Sequence, residues 1–397
     1  IAFVIGWDLI LEYALQAATV SAGWSGYFNK LLEGFGLHLP VELTAAYGTN
    51  PDVTTYFNLP GFVIVLIITW VLSIGINQTK RTNDVMVLIK LAIIVLFIVC
   101  AVWYVKPSNW QPFSPYGIYT FQPGSTQPYG IVPAASIVFF SFIGFDAGYT
   151  GGEDDIKDPS AEETINPNKT LPRGILLSLA VSTVLYVIMT LIMTGVVPYK
   201  EFAKYIDAPV AGVILETGMN WLAVIVNLGA LIGMTTVMLV QLYGQSRICY
   251  AMSRDGLFPK FFGHVHEKYR TPFKGTWFFG LLTAFAGGFI NINVLFELVN
   301  IGTLSAFIIV SAGILWMRKT QPNAPRGFRA PGVPVTPILA IVFCFVLIAG
   351  LNWETWVRFA VWFGLGLIVY FGYSRKRSKL GLEQKAGADA KVAATED

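Results

Sequence analysis

Charge is scarce in this chain. Of its 397 residues only 13% are Asp, Glu, Lys or Arg, against about 25% in an ordinary soluble domain, and this excludes a conventional water-soluble globule. Histidine and cysteine are equally sparse, with three of each. His38, His264 and His266 fall in loops, and no HExxH or GxSxG pattern stands in an apolar run. A membrane-embedded enzyme would need a nucleophile and base or a metal set at membrane depth, and neither pattern is there. The His264–His266 pair sits in a basic loop without a Cys or acidic cluster at ligand spacing, so it reads as solvated loop rather than metal site. Cys100, Cys249 and Cys344 all lie in apolar runs, which suggests small core residues and neither disulfides nor a thiolate metal site. No metal or other cofactor is expected, and nothing suggests nucleic acid. The period-2 alternation of an outer-membrane barrel is also missing.

What remains is apolar: 54% of the residues are hydrophobic and the mean hydropathy is +0.59. Runs such as VMVLIKLAIIVLFIVCAVWYV are apolar on every face and of the length, about 20 residues, that crosses a hydrocarbon core as a helix. Ten spans are expected, at residues 1–28, 59–78, 84–105, 129–152, 173–197, 217–246, 273–291, 294–317, 337–352 and 354–373. The loops on one side and the tail from Arg375 hold 21 of the 27 Lys and Arg, and the opposite loops hold Lys30, Lys106, Lys200 and Lys204. The positive-inside rule then puts both ends on the cytoplasmic face of a plasma (inner) membrane. Residues 1–373 form the expected membrane domain, and 374–397, lacking apolar periodicity, the expected disordered cytoplasmic tail. The chain opens at Ile1 inside an apolar run, which reads as an N-terminal truncation.

The span 129–152 does not finish as it starts. IVPAASIVFF gives way to SFIGFDAGYTGGEDD, with glycines at 144, 148, 151 and 152 and an acid at Asp146. Each Gly costs a helix about 1 kcal/mol relative to Ala, so the helix is expected to pause or unwind. A Gly144/Gly148 packing face would explain the glycines, but not an ionisable group at that depth. Irregular backbone inside a membrane is tolerated where protein or a watery cavity receives its freed N–H and C=O groups, and those groups can hold a zwitterion.

SFIGFDA followed by an acidic pair and a loop ending in LPRGI resembles the sixth helix and following loop of amino-acid permeases of the amino acid–polyamine–organocation (APC) superfamily, cationic amino acid transporter types especially. GWDLILEYALQAATVSAGWSGYF, APVAG and GQSRICYAMSRDGLFPKFF are similar to further family segments in the same order, so the resemblance covers residues 1 to about 373. It implies an all-α polytopic membrane protein with the LeuT-like inverted-repeat fold, in which ten helices equivalent to the family's third to twelfth are present and the first two are missing. The missing first helix would carry a Gly-rich break for the substrate carboxylate.

By that resemblance Phe140 covers the substrate, the carbonyls around Ser141, Phe142 and Ile143 hold its ammonium, and Gly144 permits the break. Asp146 matches a position that is acidic in several members. Lys90, about two turns into its span, falls where proton-coupled members carry a lysine. Read from the residues alone, an unpaired ammonium at that depth is costly to keep charged, which makes Lys90 a candidate proton carrier, with snorkelling to the headgroups as the alternative. Asp8 and Glu12 stand one turn apart, with Glu12 the first and Asp8 the second choice of partner or relay for Lys90, a structural ion pair with no transport role being the alternative. Met234 and Thr235, with Thr236, fall mid-membrane and line the site or tie helices together.

These readings converge on a secondary active transporter for amino acids, coupled to protons and working by alternating access. An exchanger, a polyamine or organocation carrier, a channel and a non-transporting receptor or relic are the alternatives.

Overall fold

The computed structural model describes residues 2–49, 53–75, 80–122, 127–144, 166–323, 328–379 and 381–382, the side chains of 2, 80–84, 167 and 168 excepted. It is a helical bundle. Its helices are α1 (Ala2–Gly34), α2 (Leu59–Ser73), α3 (Lys80–Ala101), α4 (Ile131–Val138), α5 (Pro167–Val196), α6 (Pro209–Glu216), α7 (Asn220–Arg254), α8 (Phe273–Phe289), α9 (Ile292–Thr320), α10 (Val335–Ala349) and α11 (Trp353–Val369). Each of the ten expected spans contains helix. Six helical stretches are long and apolar enough to cross a membrane, and Leu59–Ser73, Ile131–Phe142 and Val335–Ala349 are shorter apolar ones. Strand pairing among the described residues is confined to β1 (Thr120–Phe121) against β2 (Pro128–Tyr129), antiparallel.

Several boundaries differ from those read in the sequence. α1 runs on to Gly34, α5 begins at Pro167, and α7 continues to Arg254. After α11 a π-helical turn, Tyr370–Ser374, leads into Arg375–Arg377, so helix continues past residue 373. Residues 383–397 of the expected tail lie outside those described.

Local chemistry accounts for the starts. Asn58 caps α2 by accepting a hydrogen bond from the Gly61 N–H at 2.9 Å, with Pro60 in the first turn where its missing N–H costs nothing. α9 begins behind Asn291, whose side chain accepts from the Asn293 N–H.

α1 is the axial element, packed on α7, α9, α8 and α2. With 33 and 35 residues, α1 and α7 are each roughly 50 Å long, well beyond the roughly 30 Å of a hydrocarbon core. They run antiparallel, and their contacts step regularly. A methyl built on Gly6 would meet Met252 Sδ at 2.9 Å, Gln245 Nε2 donates to the Ile10 carbonyl at 3.4 Å, Tyr13 lies on Gly244, Gly23 on Met234, and Trp24 Nε1 donates to Thr235 Oγ1 at 3.1 Å. Positions forward on α1 answer positions back on α7 along the whole length, to within about two residues of one-for-one stepping.

α3 lies on the N-terminal half of α7, with Ile93 in the place a Cβ on Gly229 would need and the Lys90 methylenes 3.5 Å from one on Gly233. At the other end of α7 the segment after α11 docks on the following loop. Ser374 Oγ donates to the Leu257 carbonyl at 2.6 Å and the Lys379 N–H to that of Asp255 at 3.1 Å.

Candidate functional site

The expected interruption is present. α4 ends at Val138, tightens into a 3-10 turn over Phe139–Phe142, and becomes extended at Ile143 (ψ 146°). Gly144 then takes φ +107°, a conformation that side-chain-bearing residues rarely adopt. Asp146 and Gly148 lie outside the described residues.

Carbonyls freed by such a turn need donors, and three helices supply them. Asn300 of α9, fully buried, donates from Nδ2 to the carbonyls of Ser136 at 2.7 Å and Ile137 at 3.2 Å. The Tyr186 hydroxyl of α5 donates to the Ser141 carbonyl at 2.8 Å, and Gln16 Nε2 of α1 to that of Ile143 at 3.4 Å. The turn is held from the far side by Ser136 Oγ, which donates to the Leu347 carbonyl of α10 at 2.6 Å.

Around the break the walls are apolar. Phe140 meets Phe296 edge-on at 4.7 Å between ring centroids, Phe142 meets Tyr186 at 5.3 Å, and Phe140 and Ile143 pack on Leu15, Ala18, Leu295 and Val299. The polar exceptions are Gln16 and Gln241, both buried, whose amide nitrogens would lie 3.6 and 3.2 Å from a Cβ on Gly144. Gln241 Oε1 meets no donor among the described residues.

Two groups of expected site residues thus separate. Phe140, Ser141, Phe142, Ile143 and Gly144 gather at the level of Gln16 and Gln241. Lys90, Met234 and Thr235 gather further along α7: Lys90 lies against Gly233, Met234 against Gly23, and Thr235 donates to the Leu231 carbonyl while accepting from Trp24.

The structure does not bring Lys90 to the two acids named as its partners. Counted along the α1–α7 ladder, Glu12 and Asp8 lie about 12 and 16 residues from the Trp24 rung, or about 18 and 24 Å at 1.5 Å per residue. Lys90 makes no ion pair with a described residue. The expectation assumed that the two spans start level. α3 instead begins opposite about Tyr243 of α7, which leaves the first turns of α1 standing beyond it. Both acids are nonetheless buried, 3% exposed for Asp8 and 2% for Glu12. Asp8 Oδ1 lies where a Cβ on Gly302 of α9 would be 3.1 Å away and has no hydrogen-bond donor among the described residues.

Gln16, Gln241, Tyr186 and Asn300 were not picked out in the sequence. Gln16 had a signal, since it continues the Asp8–Glu12 row at the same four-residue step. Gln241 pairs in the same way with Gln245. Tyr186 and Asn300 act across the bundle, and their own segments carry no mark of it.

Away from the membrane-spanning segments two groups are electrostatically perturbed. The Tyr205 hydroxyl donates to Glu216, which, with smaller contributions from desolvation and Glu201, pushes its pKa up to about 12. Asp207 is raised above its ordinary range, chiefly by burial, with Lys30 opposing and Glu33 adding.

A family model described as amino acid permease matches residues 1–372. The chain belongs to that family. Among its relatives, the branched-chain amino acid permease BcaP of Bacillus subtilis is 53% identical over 96% of this chain and 77% of its own length. The methylthioribose transporter of the same species is 44% identical with the same coverage. Human cationic amino acid transporter 4 is 30% identical over 98% of the chain and 77% of its own length. The chain is therefore an APC superfamily amino-acid permease, an integral multi-pass membrane protein that acts as a transporter and not as an enzyme.

Proposed function

We propose that this permease carries branched-chain or similarly aliphatic amino acids into the cell by proton-coupled symport. The observation that carries the reading is the break at Ile143–Gly144, where backbone polar groups emerge beside Phe140, Phe296, Leu15 and Leu295. Carbonyls at Ser141, Phe142 and Ile143 suit an ammonium, and the apolar wall suits an aliphatic side chain better than a guanidinium. The name of the 53% identical relative supports the same substrate class.

Lys90 is the proposed coupling residue. Its methylenes rest on α7, it has no carboxylate partner among the described residues, and it shares a level with Met234 and Thr235, so a gain or loss of its proton would be felt where α3 meets α7. The buried Glu12 and Asp8, on the other side of the break from Lys90, and Asp146 are proposed as further proton-responsive groups. The bundle is read as helices three to twelve of two inverted five-helix repeats plus accessory helices, with residues 1–373 as the transport domain in the plasma membrane. The Arg375 end is cytoplasmic, on the asymmetry of Lys and Arg between loops.

The test is uptake of labelled isoleucine into proteoliposomes containing the full-length protein, under an imposed inward proton gradient. The gradient is expected to accelerate uptake, and Lys90→Ala to abolish the pH dependence while leaving exchange of internal for external isoleucine. Gradient-independent uptake would replace symport with facilitated exchange. The second reading, a carrier of a larger uncharged solute, follows from the methylthioribose transporter among the relatives, and competition by methylthioribose would favour it.

A further inference from the structure

A cavity of about 340 Å³ lies where α1 finishes, lined by its last turns, residues from 37–49 and 53–58, Ile206 and Asp207 ahead of α6, and the α8–α9 turn. That volume is within the range of small-molecule sites, about 300–1,000 Å³. Gly23, on the Met234 rung, is among its lining residues, so the cavity extends towards the level of Lys90.

Some of its polar groups lack partners, and His38 also stands in the lining. Asn29 gives its amide nitrogen to the Thr44 carbonyl at 3.4 Å, and since that carbonyl can only accept, the amide oxygen is the atom left over. Asn29 Oδ1 is buried and, like Thr49 Oγ, meets no partner among the described residues. Glu33 is already paired, with Lys30 at 2.8 Å. The Asp207 carboxylate at the rim takes no hydrogen bond or ion pair from any described residue. Buried polar atoms without partners are costly, and Asn29 Oδ1 and Thr49 Oγ are two such atoms, while the exposed Asp207 carboxylate adds a negative charge beside them. A guest with several N–H groups and a positive charge would answer both. Leu32, Leu37, Val41 and Ile290 provide the apolar wall.

We propose that this cavity is a second binding site, separate from the break, for a primary ammonium compound with a short aliphatic side chain. The ammonium sits between Asp207, Asn29 Oδ1 and Thr49 Oγ, and the aliphatic part lies against the leucines. The substrate would rest there on its way to or from the break. The choice of leucine as probe and the passage to or from the break rest on the amino-acid reading above.

Equilibrium dialysis of the full-length protein with labelled leucine, and with 3-methylbutylamine, which has the ammonium and side chain but no carboxylate, tests this. Two leucines per chain are expected in the unaltered protein and one in Gly144→Ile, with amine binding surviving that change. Asp207→Asn should weaken amine binding at least tenfold, and so should Asn29→Leu, whose fold is checked by its retained leucine binding at the break. Loss of all binding in Gly144→Ile, or amine binding indifferent to Asp207→Asn, would overturn the second site. If Asp207→Asn removes one leucine while Gly144→Ile removes none, the cavity stands and the central reading at the break falls.

Discussion

Gly144 combines a φ of +107° with two glutamine amides in the space its Cβ would enter. A β-branched residue is strained at such a φ whatever the space. Gly144→Ile is therefore expected to lower isoleucine uptake at least tenfold while the protein still elutes as a folded species on size exclusion, and normal uptake would remove the break from the transport path. Tyr186→Phe removes one hydrogen bond, worth about 0.5–1.5 kcal/mol net, from the Ser141 carbonyl. A severalfold rise in the KM for isoleucine with little change in expression is expected, and an unchanged KM would reduce Tyr186 to a packing role. For Asp207 the sign follows from its raised pKa. Cation binding needs the carboxylate, so attraction is full at high pH and is lost as pH falls through that raised value, at less acid than an ordinary aspartate requires. Amine binding should weaken on acidification in the Gly144→Ile protein, and adding Asp207→Asn should remove most of that dependence, Lys30, Glu33 and His38 being the other charged or titratable groups about the cavity. At this scale the sequence was informative where chemistry is local. A glycine and an aspartate in an apolar run advertise a break, whereas the donors that satisfy it, Tyr186 and Asn300, come from helices distant in sequence.

Between elements, the stability of the break depends on side chains reaching sideways. Asn300→Leu would leave the Ser136 and Ile137 carbonyls without their donor, a loss of about 1–3 kcal/mol, and a lowered thermal midpoint in detergent is the expected reading. Glu297 of α9 makes a similar tie to the start of α11, accepting from Asn352 Nδ2 at 3.1 Å and from the Thr355 hydroxyl. The apolar runs made the helices legible, because a stretch apolar on all faces has few other folds available in lipid. The levels of the helices were not legible. Loop sequences mark the order of the helices, while how far one helix slides along another depends on small-residue contacts such as Gly229 with Ile93 and Gly233 with Lys90. That is why the acids on α1 and the lysine on α3 seemed neighbours by counting and lie about 18 to 24 Å apart along the ladder.

For the molecule as a whole, the composition already specified a polytopic helical protein, and the resemblance specified its family. The ladder between α1 and α7 was visible in neither. Its rungs alternate close packing, as at Gly6 with Met252 and Gly244 with Tyr13, with hydrogen bonds, as at Gln245 with Ile10 and Trp24 with Thr235. Such a pair cannot slide by one residue without colliding at one rung and breaking another. It gives the experimenter an internal ruler. Spin labels placed at the two ends of α1 and α7 should keep one narrow distance distribution through the transport cycle, and against that fixed pair any change recorded from a label on α4 or α5 can be assigned to the moving partner alone.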